Sequence, residues 1–208
     1  MKSLDSSTPA VIMVTGLPGT GKTFFATRFA KTFGIAVVSI DKIRWTLFAN
    51  HTYSDNENAM VQQVANLIVT ELLKTQKSFV VDGGFNTEIE REEFISRFTK
   101  AGFRVVIVVV QVDDSTAKLR SAKRSAKDPE NRYKQSLSSE EFEEQVARYE
   151  MPRIDKKTVV ISGKHTYPTQ ARNVLGKLLE TKDVPIIIKP KPLHGSPPPD
   201  SRRRPIIQ

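Results

Sequence analysis

A parallel α/β sheet with helices on both faces is the fold this sequence predicts, and three observations predict it. Five short apolar runs, at 10–15, 35–40, 79–81, 103–112 and 158–161, alternate with stretches of helical periodicity. The run at 103–112 (FRVVIVVVQV) is unbroken and β-branched, which suits a central strand covered on both sides. The first run enters a glycine-rich turn, and a helical pattern follows at once.

The elements follow in order. Residues 10–15 (AVIMVT) form a buried strand bounded by glycine. From 22 to 33, Phe25, Ala26, Phe29 and Ala30 recur at helical spacing, and Gly34 supplies the stop. Residues 35–40 form a second strand, and 41–49 a short helix. Residues 58–74 predict a longer helix with Val61, Val64, Ala65, Ile68, Leu72 and Leu73 on one side. Residues 79–81 form a third strand ending at Asp82-Gly83-Gly84, and 88–100 an amphipathic helix. After the fourth strand, 115–127 reads as a cationic helix and 128–137 as a polar loop. Ser138 and Glu141 have the spacing of a capping box, opening a helix to Glu150 that Pro152 closes. A fifth strand and a helix at 168–181 complete the order. Phe24, Phe25, Phe29, Phe33 and Trp45 read as core residues.

The chain has 208 residues, enough for one domain with a sizeable core. Residues 1–9 are polar, 10–184 carry the periodic pattern, and 185–208 are a different kind of sequence. That last segment holds five cations against one anion and seven of the twelve prolines, so it sustains neither helix nor central strand. It reads as a disordered basic tail that keeps the protein solvated or contacts a polyanion. The absence of cysteine excludes disulfides, Cys-ligated zinc and thiol nucleophiles. The three histidines lack metal-ligand spacing. No stretch approaches the ~18 apolar residues of a membrane span, and 10–14 is too short for a signal-peptide core. A cytoplasmic protein with no membrane partner is the expectation.

The turn after the first strand reads Gly16-Leu17-Pro18-Gly19-Thr20-Gly21-Lys22-Thr23, the Gly-x-x-x-x-Gly-Lys-Thr pattern of a phosphate-binding loop in its proper setting between strand and helix. Glycines let the backbone wrap until several N–H groups point at phosphate oxygens. The helix behind adds the positive end of its dipole. Lys22 reaches the β- and γ-phosphates, and the Thr23 hydroxyl ligates Mg²⁺. ATP and Mg²⁺ are therefore the expected ligands. A guanine-specifying Asn-Lys-x-Asp segment is missing after the later strands; the fifth is followed by Gly163-Lys164-His165.

Asp41 follows the second strand, with Arg44 three residues on and on the same face of a helix. At the carboxyl end of a strand beside the phosphate loop, Asp41 can take a proton from an attacking hydroxyl, and it can equally cap the helix. Arg44 can hold an anionic group. Asp82 ends the third strand, where a carboxylate supports Mg²⁺ or completes a turn. Arg120, Lys123, Arg124 and Lys127 share one helical face.

The combination of GLPGTGKT, strand-Asp41-Lys42-Ile43-Arg44 and strand-Asp82-Gly83-Gly84-Phe85-Asn86 resembles the polynucleotide kinase, zeta-toxin and "predicted kinase" group of P-loop kinases, with its AAA-type domain, over residues 10–181. The resemblance implies a sheet in the order 2-3-1-4-5 with a helical lid. It implies Asp41 as general base, Arg44 as substrate or phosphate contact, and Asn86 as a substrate-facing residue. It also implies a charge-stabilising lid arginine, Arg124 or Arg120 first and Arg132 third, and an adenine beside 163–166. The function it implies is transfer of the ATP γ-phosphate to a hydroxyl acceptor: a polynucleotide 5′-OH, a nucleoside-like molecule or a sugar nucleotide. The competing expectation is an ATP-binding or ATPase regulatory module with little phosphotransfer.

Overall fold

The computed structural model describes residues 8–125 and 133–180. The expected basic tail, most of the N-terminal segment, and Lys127 and Arg132 lie outside the described residues. Five strands, β1 (Ala10–Thr15), β2 (Ala36–Ser39), β3 (Phe79–Asp82), β4 (Arg104–Gln111) and β5 (Thr158–Ser162), form one sheet in the order β2-β3-β1-β4-β5. Every pairing is parallel. This is the order the resemblance implies.

The apolar runs are continuous because each strand buries both faces, and alternate residues sort into two cores. Ile12, Val14, Val106, Val108 and Val110 face α1 (Lys22–Phe33) and α7 (Tyr167–Glu180). Val11, Met13, Val105, Ile107 and Val109 lie in the core that includes residues of α3 (Asp55–Lys74) and α4 (Glu88–Lys100). On α1, Phe25, Phe29 and Phe33 stack along one stripe with ring centroids 5.3 and 4.7 Å apart. Truncating any fully buried phenylalanine of this kind costs about 3–5 kcal/mol.

Several boundaries differ from the sequence expectation, each for a local reason. Helix α3 starts at Asp55, because the Ser54 side chain caps it by accepting from the Glu57 N–H. Its buried stripe is Val61, Ala65 and Val69, while Ile68 is exposed. Residue Ile40 belongs to α2 (Ile40–Leu47), capped by Ser39, and not to the second strand. Helix α5 (Asp114–Ala122) stops short of 127. The Leu137 N–H donates to the Ser121 carbonyl and Arg124 donates to that of Gln135, so the returning chain takes over the helix end. Arg124 therefore lies past α5, and the cationic face expected to run through it breaks at Lys123. Helix α6 (Ser139–Arg148) has the expected capping box, but ends before Glu150, whose N–H donates to the Asn86 carbonyl. Two expected core aromatics are elsewhere: Trp45 stacks on His51 at 4.4 Å, and Phe24 lies under the Arg28 guanidinium. Among the described residues, no helix is long and apolar enough to cross a membrane.

Candidate nucleotide and phosphoryl-transfer site

Parallel strands bring their carboxyl ends to one edge, and the loops leaving that edge build the site. The first is the glycine-rich turn between β1 and α1. Gly16, Gly19 and Gly21 have φ of 139°, 79° and 103°, where L side chains rarely sit. A Cβ at Gly16 would strike the Val110 carbonyl, and one at Gly19 the Ala117 carbonyl, so the loop lies directly on backbone of β4 and α5. The turn is thereby a backbone cradle at the N-terminus of α1. Lys22 folds back over it, its Nζ donating to the carbonyls of Gly16 and Leu17 at 2.6 and 2.8 Å.

The register of the sheet places the next groups. Asp82 on β3 pairs with Val14 on one side and Ser39 on the other. Its carboxylate is almost fully buried and accepts from Thr23 Oγ1 at 2.8 Å and from Ser39 Oγ at 3.3 Å. Burial pushes the Asp82 carboxyl up, against the pull of the nearby Lys134 ammonium. Burial first, and then Lys134, bring the Lys22 ammonium down from 10.5 to about 7, with Asp82 and Asp41 opposing. Phosphate oxygens at this place would restore its charge. Thr23 and Asp82 are hard oxygen donors, and Mg²⁺ fits them.

A cavity of about 530 Å³ opens beside the turn, within the range of small-molecule sites. Gly19, Gly21, Lys22 and Thr23 form its floor, and Arg120, Lys123, Arg124 and Lys134 supply cations. Gly163 and His165 line it as well. Gly163 packs on the Thr20 carbonyl, its own carbonyl accepts from Arg120, and Lys164 forms an ion pair with Asp113. The stretch at 163–166 is thus fastened to both the turn and α5.

Asp41, in the first turn of α2, is half-exposed, and its carboxylate lies 3.4 Å from Lys134 Nζ. The helix cap is Ser39, which leaves the Asp41 carboxylate free of that duty. Arg44 is placed differently. Its guanidinium pairs with buried Glu57, donates to Asn58 Oδ1 at 2.8 Å and covers the Tyr53 ring at 4.6 Å. Glu57 also accepts from the N–H groups of Thr52 and Tyr53. Burial opposes its charge, yet the bonds from Arg44 and Thr52 prevail and hold the carboxyl down at about 2. Tyr53 has φ 53°, an unusual conformation for its residue type that this clamp maintains. Burial, then the Asp41 charge, raises the Tyr53 hydroxyl, and the Arg124 charge acts on it in the other direction. Tyr53 is therefore within electrostatic reach of the cleft. Asn86 is exposed, with its backbone tied by Arg91 and Glu150.

Lys22, Thr23, Asp82, Asp41, Arg120 and Arg124 thus gather around one cleft, whereas Arg44, expected to contact substrate or phosphate, is buried and spends its guanidinium on Glu57, Asn58 and Tyr53. Lys134, Ser39, Glu57 and Tyr53 were not singled out from sequence. Ser54 and Glu57 have the spacing of a capping box, a legible signal that would have moved the helix start. Lys134 carries no such signal, since only the return of its loop brings it to Thr23.

A family description of "AAA domain" matches residues 11–152. No curated protein matches the chain by sequence. Among solved structures, a candidate kinase from Chloroflexus aurantiacus j-10-fl is 18% identical, with a TM-score of 0.66 over 82% of this chain and 99% of that one. Kti12 of Chaetomium thermophilum, solved with ADP-AlF3, is 19% identical, with a TM-score of 0.61 over 82% and 97%. The APS kinase CysC of Mycobacterium tuberculosis, solved with AMPPNP and APS, is 18% identical, with a TM-score of 0.60 over 84% and 99%. At these identities the likeness is one of fold.

Proposed function

This chain belongs to the AAA-domain family, and from that premise we propose that it is a P-loop kinase, moving the γ-phosphate of ATP to a hydroxyl acceptor. The observation that carries the reading is the convergence of Lys22, the Thr23–Asp82 pair and Asp41 on one cleft. A nucleotide-binding site alone does not need the fourth group.

Residues 16–23 bind the triphosphate through backbone N–H groups and Lys22. Thr23 and Asp82 hold Mg²⁺, which when bound neutralises charge on the phosphate oxygens. Asp41 accepts the proton of the acceptor hydroxyl as its oxygen bonds to the γ-phosphorus, and the bond to the β,γ-bridging oxygen breaks to release ADP. Arg124, half-buried at the cavity, is the first candidate to stabilise the transferring charge, with Arg120 holding the 163–166 stretch beside the adenine. Arg44 is a positioning residue: it holds Glu57 and Tyr53 at the acceptor border. The chemical range of acceptors remains a polynucleotide 5′-OH, a nucleoside-like molecule or a sugar nucleotide.

The test is incubation of the full chain with γ-labelled ATP, Mg²⁺ and a panel of 5′-OH oligonucleotides, nucleosides and sugar nucleotides. Labelled product that disappears in Asp41→Asn, with ATP binding retained, is the expected result. Release of inorganic phosphate alone across the panel, equal in Asp41→Asn, would instead establish the ATPase or regulatory-module reading.

A further inference from the structure

We propose that Lys134 and a divalent cation compete for one seat at Thr23, so that the metal gains its place together with a nucleotide and not ahead of it. The inference rests on the reading of Thr23 and Asp82 as metal ligands. Lys134 follows Tyr133 on the strap 133–137, which leads into α6. Two bonds fasten that strap: Leu137 N–H to the Ser121 carbonyl at 3.2 Å, and Arg124 to the Gln135 carbonyl at 3.2 Å. From there the Lys134 side chain, only 12% exposed, reaches inward. Its Nζ donates to Thr23 Oγ1 at 2.6 Å and stands 3.4 Å from Asp41 Oδ2. Thr23 in turn donates its proton to Asp82.

The Thr23 oxygen is thus committed on both sides, with its proton toward Asp82 and a lone pair toward an ammonium. A metal bound to that oxygen would need the lone pair. It would also bring two positive charges to within a few ångströms of a third, in a cleft where Lys22 and Arg124 already lie close. Lys134 has to withdraw, and it leaves behind the carboxylates of Asp41 and Asp82. The phosphates of a bound nucleotide, ADP or ATP, would supply the negative charge that makes withdrawal favourable: the ammonium would exchange carboxylate and hydroxyl for phosphate oxygens and leave Thr23 to the metal. The strap attached to Lys134 moves with it, so loading the metal and rearranging the strap are one event. Lys134 is a positioning residue in this scheme, acting through Thr23.

The experiment titrates Mn²⁺ into the full chain without nucleotide and follows free Mn²⁺ by its electron paramagnetic resonance signal. Lys134→Met keeps the stem and removes the charge. It is expected to bind Mn²⁺ about tenfold or more tightly than wild type, the effect of removing one like charge from a shared position. Lys134→Arg is expected to stay as weak as wild type. With ADP present, the gap between Lys134→Met and wild type closes to about threefold or less. A lysine with a merely structural role would lose metal affinity on removal, not gain it. Equal Mn²⁺ affinities for wild type and Lys134→Met overturn the proposal, as does a gap that ADP leaves unchanged. Should Lys134→Met lose its far-ultraviolet dichroism, Lys134→Gln carries the same expectation. Fluorescent ADP binding runs alongside: failure of wild type to bind nucleotide overturns the kinase reading, whereas normal binding with equal Mn²⁺ affinities overturns the competition alone.

Discussion

On one side of the cleft, the turn at 16–23 holds its shape through three glycines at positive φ, two of which, Gly16 and Gly19, are pressed against neighbouring backbone. On the other, the corner between α2 and α3 holds its shape through side chains: Arg44, Glu57, Asn58 and Tyr53, joined by a buried ion pair and a cation–π contact. The first is local in sequence, and its shape is a property of the main chain. The second joins residues from two helices and the loop between them, and its order depends on charges that have left water. A backbone cradle tolerates side-chain exchange but no added Cβ at its glycines. A charged clamp tolerates backbone adjustment but not the loss of one partner.

The largest effect expected is chemical. Asp41→Asn lowers phosphotransfer by about 10²–10⁴-fold while ATP affinity stays near wild type, read by product formation and by nucleotide titration. A matching loss of ATP affinity would mean that Asp41 belongs to the nucleotide side, and the division between the two sides would be wrong.

Next comes the clamp. Arg44→Met leaves Glu57 buried without its cation and lowers stability by about 3–5 kcal/mol in denaturant titration. Arg44→Met combined with Glu57→Gln recovers much of that loss, because neither charge then remains buried alone. If the double variant is as unstable as the sum of its parts, the pair is not what orders this corner.

Gly19→Ala is smaller and acts on the opposite side. The substitution forces a Cβ toward the Ala117 carbonyl at φ 79°, a strain of about 1–3 kcal/mol. ATP affinity falls, as measured by isothermal titration. Wild-type affinity in Gly19→Ala would refute the backbone account of the cradle.

The clamp also predicts a pH dependence. Glu57 titrates at about 2 in the folded protein against an ordinary value of 4.5. The folded state therefore binds fewer protons than the unfolded state between those values, and stability rises with pH across that window. The Glu57 contribution is complete above 4.5 and disappears as pH falls through 2. Melting temperatures of wild type and Glu57→Gln should differ by a constant amount above that window and converge within it. Constant separation down to the lower limit would place the folded value of Glu57 near the ordinary one.

The sequence by itself determined the strand count, the parallel α/β class, the glycine-rich turn between β1 and α1, and the positions of Asp41 just after β2 and Asp82 at the end of β3. These follow from short-range physics: apolar runs that only a doubly covered strand can bury, glycines that permit left-handed backbone, and side chains placed by their position after a strand. The tertiary structure decided the rest. It ended α5 where residues 135–137 bond back to it and α6 beside the Asn86 carbonyl, turned Arg44 toward Glu57, and brought Lys134 across 111 positions of sequence to Thr23. Those outcomes depend on which charge finds which partner once water is excluded. No local pattern of residues encodes such a meeting, because its energy exists only after the chain has closed around it.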